Sequence, residues 1–126
     1  MDHQSNISVL FTTDTDGASI VVVTNPKGES FKVLAEDWPS LSADFGDIWF
    51  VNANSNGRPY FRRHDPNAPL GKGGRPQITL QRAVMRAKRG QRVKFIDGDT
   101  SNCRRDNLEV QSKEDAARDI AAILNG

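Results

Sequence analysis

VKFIDGDTSNCRRDNLEV, Val93 to Val110, is the stretch on which the fold turns. Its start belongs to an apolar, β-branched run of strand length, Gln91 to Ile96. Asp97-Gly98-Asp99 then makes a turn, since Asp hydrogen-bonds nearby backbone and Gly tolerates the conformation a tight turn needs. A polar loop runs on to Asp106, and Asn107 to Gln111 forms a second short strand. Ser112 is a credible N-cap, with Glu114 and Asp115 in the first turn, where the helix dipole favours anions. A final helix is expected from Lys113 to about Leu124, with Ala116, Ile120, Ile123 and Leu124 as its apolar stripe.

Working outward, Gln77 to Arg89 reads as a helix stopped by Gly90. Leu80, Val84 and Ala87 recur at helical spacing, and Arg82, Arg86 and Arg89 would share another face. Asp65 to Pro76 is a loop, with three prolines and three glycines. Asp47 to Asn52 and Pro59 to Arg63 read as a hairpin turning at Asn54-Ser55-Asn56-Gly57. Glu36 to Gly46 is a connector holding one helical turn. The first 35 residues read as a three-stranded antiparallel meander. Its strands are Ser8 to Thr12, Ser19 to Thr24 and Glu29 to Ala35, with turns at Thr13 to Gly17 and Asn25 to Gly28.

A length of 126 residues suits one small domain or one domain with an appended β element. The longest apolar run is strand-sized, so no membrane span is expected, and Met1 to Asn6 lacks the order of a signal peptide. The lone Cys103 excludes an internal disulfide and a zinc site built on paired cysteines. The net charge of +1 hides a strong asymmetry. Between Gly57 and Arg105 there are thirteen Lys or Arg against three acids. Met1 to Asn56 has two bases against eight acids, and Asp106 to Gly126 two against five. A basic centre between acidic ends suits a polyanionic partner, although solvated basic faces are common.

The ordered segments IWFVN, GRPYFRR, GK, ITLQRAVM and VKFIDGDTSNCRRDNLEV, within Asp47 to Asp115, resemble the phage-type HNH endonucleases. The resemblance covers about half the chain and implies α+β architecture. The expected order is an N-terminal antiparallel β meander, then an HNH-like ββα unit with a preceding helix. It divides the chain into a β extension over 1–46, a candidate dimerisation element, and a DNA-binding domain over 47–126.

An HNH nuclease needs a general base and a divalent cation. The resemblance puts the base at Phe95, which accepts no proton, and one metal ligand at Lys94, a cation. The second ligand falls at Ala116. The family's asparagine is kept as Asn107, whereas Asn102, Cys103 and Gln81 replace other family residues. The implied protein is not an enzyme, needs no metal or cofactor, and binds double-stranded DNA in the bacterial or phage-infected cytoplasm, beside the nucleoid. The candidate DNA contacts are Arg62, Arg63, Lys72, Arg75, Arg82, Arg86, Arg89, Arg92, Lys94, Arg104 and Arg105. Asp97 and Asp99, like Asp14 and Asp16, are expected as turn residues, Asn107 as a loop-locking hydrogen bonder, and Cys103 as inert. Two other functions remain open: a residual nuclease using Asp97, Asp99 and Asn107, and a protein-interaction module that docks through its acidic half. A homodimer through the N-terminal strands is the expected oligomer.

Overall fold

A computed structural model of the chain describes residues 6–53 and 57–112. The β-branched runs at the start form a meander of β1 (Ser8–Thr13), β2 (Ser19–Thr24) and β3 (Ser30–Leu34), antiparallel in that order. Alternation decides which side is buried. Val21 pairs with Val33 and Val23 with Phe31, and all four side chains are buried. Among the described strands the edge strand β1 pairs with β2 alone, and Leu10 and Phe11 are 55% and 61% exposed.

A 3-10 turn, Ala35–Asp37, leads into α1 (Trp38–Phe45). The expected single helical turn is in fact eight residues. Trp38, Leu41 and Phe45 recur at helical spacing and bury one stripe, and Pro39 sits in the first turn, where its missing N–H costs nothing. Gly46 ends the helix at φ 93°. A Cβ there would collide with the Arg63 guanidinium, which lies over the Trp49 ring.

The second sheet has β4 (Phe50–Ala53), β5 (Pro59–His64) and β6 (Gln77–Thr79) in that order. The 65–76 loop is closed at its base, where the Asp65 N–H donates to the Pro76 carbonyl at 2.8 Å. The helix expected over Gln77–Arg89 is shorter. Gln77-Ile78-Thr79 is extended and pairs with β5, and α2 spans only Leu80–Met85. Arg86 closes it in the left-handed region at φ 54°. Arg82, Arg86 and Arg89 therefore do not line one helix face, because the helix has ended before Arg89.

The last described pair is β7 (Gln91–Phe95) with β8 (Leu108–Ser112), antiparallel, with Val93 opposite Val110 and Phe95 opposite Leu108. Ser112 is the final strand residue; the helix expected from Lys113, and Ala116 with it, lie outside the described residues. No described helix is long and apolar enough to cross a membrane.

One core joins all of this. Val21, Phe31 and Leu41 from the first 46 residues pack in the same cluster as Trp49, Phe61, Leu80 and Leu108. The Phe31 ring meets the Phe61 edge with centroids 5.1 Å apart. The outer edge of β3 is taken by the loop between β7 and β8. Lys32 N–H donates to the Ser101 carbonyl at 2.9 Å, and the Cys103 N–H returns a bond of 2.9 Å to the Lys32 carbonyl. The buried Asn25 amide donates to the Trp49 carbonyl at 2.8 Å, which ties the second turn of the meander to the second sheet. Residues on both sides of position 46 thus contribute to one cluster. Phe31→Ala should cost about 3–5 kcal/mol of unfolding free energy, read by chemical denaturation. Tryptophan fluorescence and far-UV circular dichroism should report one coincident transition, because Trp38 and Trp49 share the core with both sheets.

Candidate nucleic-acid interface

The loop between β7 and β8 is built from short polar side chains that bond their own backbone. Asn107 holds its two ends together. Its Nδ2 donates to Asp97 Oδ1 at 2.8 Å and to the Asn102 carbonyl at 2.9 Å, while its Oδ1 accepts the Asp97 N–H at 3.1 Å. Asp99 Oδ1 accepts both the N–H and the hydroxyl of Ser101. Burial raises the Asp97 carboxyl, but bonds from Asn102, the Asp99 N–H and Asn107, with the Lys32 charge, outweigh it and leave the group below its ordinary value. Both aspartates are turn formers, with both oxygens of Asp97 and Oδ1 of Asp99 accepting hydrogen bonds. Cys103 is fully buried, and burial pushes its thiol far above the usual range, so it is no nucleophile.

Arg104 sits in an internal ion cluster. Expected as a phosphate contact, it is only 8% exposed. Its guanidinium donates to Asp14 at 2.8 Å, to Asp16 at 2.9 and 3.0 Å, and to Asp106 at 2.6 and 2.9 Å. Lys32 adds a 2.8 Å ion pair to Asp14. Hydrogen bonds from Lys32 and Arg104 hold the Asp14 carboxyl far below the ordinary range, and Arg104 lowers Asp16 and Asp106. The arginine binds the chain's own acids because they reach it first in a partly dry site.

Several other expected contacts are also engaged internally. Arg82 turns back to the carbonyls of Ala87, Lys88 and Gln91, which it caps. Arg105 bonds Asp37 and, at 3.0 Å, the Val84 carbonyl. Arg86 pairs with Asp44 at 2.7 Å and covers the Phe45 ring. Arg63 donates to the carbonyls of Ile48 and His64, and Arg75 to that of Pro66. Lys72, Arg89, Arg92 and Lys94 are exposed and, among the described residues, in no ion pair. Arg62 is half-buried, its guanidinium over the Tyr60 ring at 5.9 Å.

Arg92 and Lys94 meet in a cleft of about 390 Å³ that Arg58, Tyr60, Phe95 and Gln111 also line. The β strands explain the convergence: Arg58, Tyr60 and Arg62 alternate along one strand and its approach, and Arg92 and Lys94 alternate along β7. The Tyr60 and Phe95 rings stack, 10° apart in plane and 6.1 Å between centroids. Arg58 and Tyr60 were not singled out from the sequence. Their period-two spacing in GRPYFRR was the available signal, but pairing that hairpin with the distant β7 needs the fold.

The cleft contains both described positions at which the resemblance places HNH chemistry, Lys94 and Phe95. Among the described residues its lining has no carboxylate and no histidine, and no group of three or more His, Cys, Asp or Glu is placed to hold a metal ion. The described lining residues offer a divalent cation no acidic or imidazole ligand. The fold and site thus define a small α+β protein whose β7–loop–β8 unit borders a cationic, aromatic cleft. Residues 82–118, under a third of the chain, match the model of the HNH endonuclease family, which supports that family for this segment. No curated protein and no solved structure matches the chain.

Arg104→Ala should destabilise the protein by about 1.5–3 kcal/mol, since it removes the guanidinium that bridges Asp14, Asp16 and Asp106 and leaves Asp14 with Lys32 alone. The aspartates of the cluster hold depressed pKa values, so their contribution is complete above about pH 4 and is lost as pH falls through the folded-state values. Urea midpoints measured from neutral pH downward should fall steeply below about pH 4, and Asp14→Asn should flatten that slope.

Proposed function

We propose that the chain is a duplex DNA-binding protein built on an HNH nuclease fold that has lost its chemistry. The observation that carries the reading is the cleft beside β7, where Lys94 and Phe95 stand with Arg58 and Arg92 and no acid among the described lining residues. Lys94 would place a fixed ammonium beside a backbone phosphate, neutralising it without cutting. A phenyl ring at position 95 takes no proton from water. Asn107 keeps a structural role, holding the loop that frames the cleft.

The exposed cations Lys72, Arg89, Arg92 and Lys94, with Arg62, form the phosphate-contacting set. Contacts of that kind position a protein on the backbone without reading base sequence. Selectivity would then come from the deformability of the duplex. The resemblance to phage-type HNH proteins supports a role in transcription regulation in a bacterium or phage, in the cytoplasm and beside the nucleoid.

A second copy of the chain is the proposed partner of β1. Its six residues carry neither a charge nor a proline, the devices that ordinarily protect a free sheet edge. Antiparallel pairing of β1 with β1 about a two-fold axis would make one six-stranded sheet from two meanders and present two clefts to one duplex. Sedimentation velocity should show a dimer that Leu10→Lys converts to a monomer; a wild-type monomer at every concentration tested would overturn this assembly.

Fluorescence anisotropy on a labelled duplex at about 50 and about 200 mM salt tests the main reading. Binding should weaken steeply with salt, and the Arg92→Ala/Lys94→Ala double variant should reduce the salt slope by roughly two. No binding at the lower salt by folded protein would sink it in favour of the protein-interaction module. Magnesium-dependent nicking of supercoiled plasmid, abolished by Asp97→Ala/Asp99→Ala, would restore the nuclease.

A further inference from the structure

We infer that the cleft between β5 and β7 receives a single unpaired nucleotide of the bound DNA, its base stacked on the Tyr60–Phe95 ring pair and its phosphate among Arg58, Arg92 and Lys94. The inference rests on the DNA-binding reading and goes past it, from a cationic surface to a pocket for one base.

Shape is the first ground. Backbone contacts along a duplex need a ridge or a shallow face, and a stacked, paired base cannot enter a concave space without leaving the helix. The cleft is concave, and its volume of about 390 Å³ is on the scale of one nucleotide. The second ground is the chemistry of its walls. The two rings are nearly parallel, and both line the space. Phe95 also packs against the core, so its side of the pair is held in place. A base entering the cleft extends this stack as a third ring, a contact that tolerates any base because each has a π face. Thr100 and Gln111 complete the lining with a hydroxyl and an amide, which can reach a base edge that pairing has left free.

The third ground is charge. Arg92 and Lys94 project from alternate positions of β7 and Arg58 enters from the start of β5, so three cations converge on one opening. Cations with interleaved aromatics are the surface chemistry of proteins that hold unpaired strands. A purely duplex-tracking surface has no use for a paired-ring floor.

The test compares an intact duplex with the same duplex carrying one extrahelical nucleotide, replaced by a fluorescent adenine analogue that stacking quenches. The protein should bind the second duplex roughly tenfold tighter, and the analogue's fluorescence should fall on binding. Tyr60→Leu should abolish both the preference and the quenching. Should that variant fail to fold, the quenching in the unmodified protein stands as the deciding measurement. Equal affinity for the two duplexes, or tighter binding without quenching, overturns the nucleotide pocket and leaves the DNA reading standing. Failure to bind either duplex at low salt overturns both.

Discussion

A guanidinium held by three carboxylates is the interaction around which the two ends of this chain are organised. Asp14 and Asp16 come from the turn between β1 and β2, Asp106 from the loop before β8, and Arg104 lies among them. The planar fork of arginine suits this, since its donors can serve several acceptors at once without a change of protonation. Arg104 and Asp14 are nearly closed off from solvent, whereas Asp16 and Asp106 are more than half exposed, so the Arg104–Asp14 pair is the inner part of the cluster. The backbone bonds between Lys32 and the 101–103 segment run beside it, so β3 and the loop are joined by both ladder and ion cluster. The loop that frames the cleft thus has its shape set from within by Asn107 and from without by the meander.

The two strands around the Asp-Gly-Asp turn, the meander and the α+β class were legible in sequence, because alternation and turn chemistry are local. Phe31 and Val33 face inward as their spacing implies, and the polar loop closes through Asp97, Asp99 and Asn107 as their residue types imply. The helix expected over Gln77–Arg89 is shortened for a physical reason. Gln77-Ile78-Thr79 has an open strand edge at β5 to pair with, and that tertiary partner outweighs helical periodicity. Arg86 then takes the left-handed cap that the pattern assigned to Gly90.

Counting cations misled in a related way. A basic stretch in sequence gives a total, while the structure shows where each charge is directed. Arg104 meets the acids of the first turn, Arg82 meets carbonyls of its own turn, and Arg105 meets Asp37. The acidic N-terminal half and the basic centre, which looked like separate surfaces, partly neutralise each other inside one fold. What stays exposed and in no ion pair among the described residues is a smaller set, Lys72, Arg89, Arg92 and Lys94. No periodicity in one strand shows the cleft, because Tyr60 and Phe95 meet only once the second sheet and the β7–β8 hairpin have packed.

The ion cluster also bears on the order in which the protein becomes itself. Arg104 and Asp14 are 90 residues apart in sequence. On a ribosome the meander emerges early and pairs its neighbouring strands quickly, since those contacts are local. The outer edge of β3 and most of the partners of its acidic turn are then absent until the segment from Ser101 to Asp106 has been made. During that interval β3 presents a second open edge beside β1. The bonds from the 101–103 segment to Lys32 and from Arg104 to the acidic turn are then what close that edge.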